Sequence, residues 1–286
     1  TLVSGDLSGG VTSNSISSRP VMDPSGRYVV FLSNATNLVA NPTPGTWHLY
    51  LRDLPAATPT LVDADTNSAG ASVTAVTVPS LGDDARSVAF ERGDGGLVAE
   101  DNNHNLDVFV RDLIAGTNEL ISAHDPTLGT ISPNGPSLSS TLSASADGRF
   151  IAYASEADNL VAEDTNGLRD VFVRDLAGNT NWLVSSDPDG VPGNGISIEP
   201  AISGNGRYVA FTSGATNLVA GDTNKATDIF VRDLWTGLTT LESLKWNVAA
   251  PATGNSYSPT LSTDGRWLLF RSQATDLVSG KVFMAG

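Results

Sequence analysis

A pattern that recurs five times along this chain constrains its fold more than any other property. It reads GRYVVFLSNATNLVA from Gly26, ARSVAFERGDGGLVAED from Ala85, GRFIAYASEADNLVAEDTN from Gly148, GRYVAFTSGATNLVAGDTN from Gly206 and GRWLLFRSQATDLVSG from Gly265. The shared arginines, Arg27, Arg86, Arg149, Arg207 and Arg266, stand 59, 63, 58 and 59 residues apart. A period of this size marks a solenoid, a propeller or an array, whose units bury their apolar faces only against one another.

Each copy reads as four strands. The first is expected to follow a proline seven residues before the arginine, at Pro20, Pro79, Pro200 and Pro259, with Leu142 as the exception, because proline tolerates a strand start but not its bonded middle. Ser25-Gly26, Asp147-Gly148, Asn205-Gly206 and Asp264-Gly265 then suit a two-residue hairpin with positive φ. The second strand, as in Tyr208-Val209-Ala210-Phe211, is nearly all apolar and expected to be buried on both faces. The third is Val171-Phe172-Val173-Arg174-Asp175 and its equivalents, and the fourth resembles Trp182-Leu183-Val184-Ser185. Abundant turn residues, 28 Gly and 15 Pro among them, agree with many short strands.

The expected fold is all-β: one domain over residues 1–286, a five-bladed β-propeller of four-stranded antiparallel blades. The blades fall near 14–63, 72–122, 136–185, 196–243, and 256–286 with 1–5. The fifth copy ends on Lys281-Val282-Phe283-Met284, which matches a third strand, while Thr1-Leu2-Val3-Ser4 matches a fourth. The N-terminal strand is therefore expected to complete the C-terminal blade and close the ring, leaving no open sheet edge.

The segments Ser203 to Phe211 (SGNGRYVAF) and Ser262 to Phe270 (STDGRWLLF) resemble the WD-like β-propeller repeats of the TolB type. The recurring N-L-V-x-x-D-T-N-x-x-x-D segment is closer to an acidic-loop, calcium-binding-like variant of that family. The resemblance implies a bacterial envelope or secreted propeller used mainly for protein contacts, in a family that also includes enzymes. An extracytoplasmic place, whether periplasmic, cell-surface or secreted, is the expectation that follows.

Within such a blade the loops joining strands two to three and four to one share a rim, and here they are the long, polar ones. Long loops on a rigid scaffold are where binding concentrates. Three of them repeat one acidic spacing: Asp101, Asn103 and Asp107; Asp164, Asn166 and Asp170; Asp222, Asn224 and Asp228. Calcium prefers six to eight hard oxygen ligands, which such loops can supply in part, although the bidentate Glu of known calcium loops is missing. The competing reading is that these side chains cap turns by accepting backbone N–H bonds. The first copy carries Asn41 to Trp47 instead, without an acidic residue, and the fifth has no loop, so neither is expected to hold an ion.

Catalytic signals are sparse. The Arg-Asp pair ending strand three, at Arg52-Asp53, Arg111-Asp112, Arg174-Asp175 and Arg232-Asp233, recurs in four copies, whereas an active site needs unlike groups converging on one point. It reads as blade packing. His48, His104 and His124 form no metal-spacing pair, there is no G-x-S-x-G, and no catalytic residue is assigned. Of the five tryptophans, Trp182 and Trp267 are expected in the core, and Trp246, in a long loop, is the candidate ligand contact.

A net charge of −15 disfavours nucleic acid and anionic lipid as partners. No run of 18 apolar residues suggests membrane insertion, and the absence of cysteine excludes disulfides and thiolate chemistry. The functional expectation is a non-enzymatic binding or scaffold module, calcium-stabilised, contacting protein or polysaccharide and able to assemble into a larger surface structure. The alternative is a propeller-type carbohydrate-active enzyme, lyase or glycosidase.

Overall fold

The computed structural model describes residues 2–6, 13–40, 46–56, 59–65, 78–82, 85–93, 96–99, 101, 103, 105–125, 133–137 and 143–279. Among them there are strands and turns and no helix. The first sheet is β1 (Ser17–Met22), β2 (Tyr28–Ser33), β3 (His48–Asp53) and β4 (Pro59–Leu61); the second is β5 (Ser80–Leu81), β6 (Ser87–Arg92), β7 (Asp107–Asp112) and β8 (Thr117–Leu120). The third is β9 (Ser143–Ala144), β10 (Phe150–Ser155), β11 (Asp170–Asp175) and β12 (Thr180–Leu183), and the fourth is β13 (Ser197–Ile202), β14 (Tyr208–Ser213), β15 (Asp228–Asp233) and β16 (Leu238–Leu241). The fifth repeat contributes β17 (Ser256–Leu261) and β18 (Leu268–Ser272). Every pairing is antiparallel between neighbours in the chain, so each repeat is an up-and-down sheet.

The sheets stack face to face. Val30, Leu32 and Leu49 of the first meet Val88, Phe90 and Phe109 of the second, and Ala152, Ala154 and Val171 of the third meet Val209, Phe211 and Phe230 of the fourth. Because both faces are covered, β2, β6, β10 and β14 are buried along almost their whole length, as their apolar sequence requires. One aromatic pair recurs in each of the four-stranded sheets: Phe31–Tyr50, Phe90–Phe109, Tyr153–Phe172 and Phe211–Phe230, with ring centroids 5.8 to 6.1 Å apart.

Polar grips cross the first three seams backwards along the chain. Asn118 Nδ2 donates to Ala64 O, Asn181 Nδ2 to Ala123 O, and Thr239 Oγ1 to Ser186 O, so each outer strand holds the segment leaving the sheet before it. Arg232 Nη1 donates to the carbonyls of Ser186 and Asp187 as well. On the short-turn rim Arg27, Arg149 and Arg207 clamp Asp53, Asp175 and Asp233 through paired bonds of 2.7 to 3.0 Å, and Arg86 holds Asp112 through one oxygen. The aspartates of the recurring Arg-Asp pairs are thus occupied in holding strands together, and Arg232 in holding two sheets together.

Three expectations need correction. Pro20, Pro200 and Pro259 do not open the first strands but sit inside β1, β13 and β17, where the register slips by one residue. The residues before them, Arg19, Glu199 and Ser258, take φ of 51°, 54° and 53°. A bulge leaves one residue without a ladder bond, so proline is accepted there. The Gly26, Gly148, Gly206 and Gly265 turns are not two-residue hairpins with two positive φ angles. Only the glycine is left-handed, and its N–H bonds the carbonyl three residues earlier, as Gly26 N does to Asp23 O, which is a type I turn closed by a glycine bulge. Trp182 and Trp267 are not core residues. Trp182, on the outer strand β12, is 36% exposed and lies against Phe150, and Trp267 is 70% exposed on the two-stranded fifth sheet.

The N-terminal segment repeats the geometry of a fourth strand's exit. Ser13 N donates to Ser4 O, as Gly193 N does to Ser185 O and Ala252 N to Ser243 O. Val3 packs on the outer face of the first sheet with Phe31 and Tyr50. Pairing with Lys281 to Met284 lies outside the described residues, as do Thr1, residues 41–45 and His104.

Candidate functional site

The three acidic loops precede the third strands of the second, third and fourth sheets, and each is fastened to the connection leading to the next sheet. Asn103 Nδ2 donates to Pro133 O at 2.9 Å, Asn166 Nδ2 to Gly193 O at 2.8 Å and Asn224 Nδ2 to Ala252 O at 2.7 Å. The amide oxygens of the same residues accept backbone N–H bonds from Asn105, Leu168 and Ala226. These asparagines therefore act as turn caps and seam ties.

The aspartates that open the third strands are also engaged. Ser122, Ser185 and Ser243 donate to Asp107, Asp170 and Asp228 at 2.8, 2.5 and 2.6 Å, and the same hydroxyls accept from the N–H groups of Val108, Val171 and Ile229. Asn166 and Asn224 add a second bond each, to Asp170 and Asp228. Burial pushes Asp107 up to about 7 and Asp170 up to about 6, opposed by these bonds, and it raises Asp228 too.

The first aspartate of each loop differs. Asp164 is 4% exposed, and neither of its carboxylate oxygens has a side-chain hydrogen-bond partner. The one opposing contact is the nearby Asn166 backbone N–H, too poorly placed for a full bond but enough to lower the pKa of Asp164. Asp222, 7% exposed, leaves Oδ1 without a side-chain partner. Burial, and then the charge of Asp170, pushes Asp164 up to about 7; burial and Asp228 raise Asp222 in the same way. Asp101 is 2% exposed, and its Oδ1 accepts the Asn103 amide at 3.4 Å. A buried carboxylate without a side-chain partner, beside a second carboxylate, is a hard-oxygen donor set short of positive charge. Among the described residues no group of three or more His, Cys, Asp or Glu side chains could hold a metal ion, so a cation here would take two carboxylates and complete its shell with carbonyls and water. The donor chemistry fits an oxygen-loving cation, and the asparagines' amide groups are also engaged in turn and seam bonds.

Other features lie apart from these loops. A groove of about 460 Å³ opens between the second and third sheets on the short-turn rim, lined by Arg86, Asp112, Glu119, Asp147 and Arg149. Trp246 is 59% exposed; its N–H donates to Asp276 O, and Lys245 lies 3.7 Å from the Asp276 carboxylate, so this loop leans on the fifth repeat. Sequence reasoning missed a buried cluster on the first sheet's side of the long-loop rim, where His48, Asp63 and Arg92 meet. Its signal was available as breaks in the repeat.

No family model matches the chain, and no curated protein matches it. Solved structures do. TolB from Acinetobacter baumannii superposes with a TM-score of 0.50 at 15% identity, covering 93% of this chain and 54% of that one. The tricorn protease matches with a TM-score of 0.50 at 13% identity, over 94% of this chain and 19% of that one, and a prolyl endopeptidase with 0.50 at 14%, over 87% and 31%. The chain thus spans about half the length of that TolB and less of the two peptidases. At such identities the likeness shows the fold alone: this is an all-β chain of antiparallel four-stranded sheets with a TolB-like β-propeller fold.

Proposed function

We propose that the chain is a five-bladed propeller working as an extracytoplasmic binding or scaffold module, stabilised by calcium and contacting protein or polysaccharide through its long-loop rim. The observation that carries the calcium reading is Asp164, buried, with no side-chain partner for either oxygen and Asp170 beside it, and echoed by Asp222 one repeat later. Like charges buried together repel unless a cation joins them. Ring closure is supported by Val3 and Ser4, which stand on the first sheet as Val184 and Ser185 stand on the fourth. Closure would also cover Leu269, 74% exposed, whose counterpart Ala210 is fully buried. A binding role is favoured over catalysis because, Glu119 apart, the carboxylates with raised pKa recur at one place in successive repeats instead of converging as unlike groups.

Thermal melts in chelator, calcium and magnesium at low ionic strength test the ion sites. Calcium at a hundredfold excess over Kd should stabilise the fold by about 2.7 kcal/mol per independent site. A midpoint that ignores calcium and chelator alike rejects the reading. Retention on a polysaccharide array without turnover supports the binding role, and release of product rejects it.

A further inference from the structure

Three departures from the internal repeat meet at one point. The residue six after the repeat arginine is Ser33, Ser155, Ser213 or Ser272 in four copies and Arg92 in the second. The residue opening the third strand is Asp107, Asp170 or Asp228 in the middle copies and His48 in the first. The second residue after the fourth strand is Ser122, Ser185 or Ser243 in those copies and Asp63 in the first. In the structure His48 Nδ1 lies 3.1 Å from Asp63 Oδ2, and Arg92 Nη2 bonds that same oxygen. The Thr46 hydroxyl lies 3.0 Å from His48 Nε2. A neutral imidazole with its proton on Nδ1 satisfies both contacts, donating to Asp63 and accepting from Thr46.

All three residues are out of water: His48 and Asp63 are 0% exposed and Arg92 is 2%. Asp63 leaves the first sheet and Arg92 ends β6 of the second, so the ion pair spans the seam between them. The guanidinium also lies 5.8 Å from the Phe90 ring, an aromatic face that favours a cation. The three following seams each carry an acidic loop tied by its asparagine to the next connection. Among the described residues, only the first seam brings a basic side chain to a buried carboxylate at this place in the repeat.

We propose that Arg92 is the built-in cation of the seam between the first and second blades, holding Asp63 as a bound divalent ion holds the acidic loops, so that withdrawing divalent ions loosens the later seams and leaves this one closed. The contrast with the later seams rests on the calcium reading; the role of Arg92 toward Asp63 does not. Hydrogen exchange on the full chain, in calcium and in chelator, tests both for the wild type, Arg92→Ser, Asp63→Ser and the double variant. Wild-type amides of β4 and β6 should exchange within twofold of each other in the two media. Arg92→Ser should speed them at least tenfold in both, and adding Asp63→Ser should recover most of that, because no charge is then stranded. An Arg92→Ser effect below twofold, or one that Asp63→Ser does not relieve, overturns the proposal. So does a wild-type β6 that loses protection in chelator together with β14. If chelator changes no seam, the calcium reading fails while the Arg92–Asp63 coupling still decides the role of Arg92. Should Arg92→Ser not fold, the double variant should, and loss of both folds overturns the proposal.

Discussion

Asp63 and Asp164 are both buried carboxylates at a junction between neighbouring sheets, and the chain treats them differently. Asp63 receives Arg92 from the next sheet and His48 from its own. Asp164 receives no side-chain partner and lies near a second carboxylate, which helps hold its own protonation high, at about 7. Under the calcium reading, one scaffold meets a single electrostatic problem twice, with a positive charge drawn from the chain at one seam and one drawn from solution at the other.

The largest expected effect comes from stranding the internal cation. Asp63→Ala leaves the Arg92 guanidinium buried without its carboxylate and should cost about 3–5 kcal/mol in urea unfolding, equally in calcium and chelator. A loss under about 1 kcal/mol, at the bottom of the range for ordinary substitutions, would erase the contrast. Next is Asp164→Asn, which should abolish that site's share of the calcium gain, about 2.7 kcal/mol at a hundredfold excess, and raise the midpoint in chelator by removing a buried charge. Calcium titration followed by calorimetry reads both signs, and an unchanged calcium gain would show that Asp164 holds no ion.

Ser185→Ala should cost about 1–3 kcal/mol in either medium, since it strands Asp170 Oδ1 and the Val171 N–H together. If calcium cancels that loss, Asp170 belongs to the ion site and not to the turn. The smallest effect belongs to the exposed clamps. Arg207 and the neighbouring backbone hold Asp233 down to about 2, so its contribution is complete above the ordinary carboxylate range and disappears as pH falls toward 2. Asp233→Asn should leave the midpoint nearly unchanged at pH 7, as expected for a solvent-screened pair, and remove a small acid-dependent slope between pH 4 and 2.

The sheets were legible because their causes are local: apolar second strands, glycine turns and a period that can be checked against itself. Val209 to Phe211 and Val171 to Val173 are buried as their composition requires. The bulge at Pro200 was not legible, since proline is compatible both with a strand's first residue and with an unpaired one inside it. Spacing alone could not separate Asn166, whose amide is consumed by Leu168, Asp170 and Gly193, from Asp164, whose oxygens are left over. Ligand and cap share a residue type, and only the direction of the side chain distinguishes them. Arg92 stayed hidden for another reason: reading five copies for what they share discards the positions where one copy departs.

Three side-chain grips from the outer strands cross a seam from a later sheet to an earlier one. Asn118, Asn181 and Thr239 reach back to carbonyls at residues 64, 123 and 186. On a ribosome this direction becomes a schedule. The exit segment of each blade waits for a bond until roughly one further repeat has emerged, and each newly made blade finishes its predecessor. A stalled chain should therefore carry one unsealed blade at its growing end and sealed ones behind it, with the sites open to chaperones or proteases moving along the chain as synthesis proceeds.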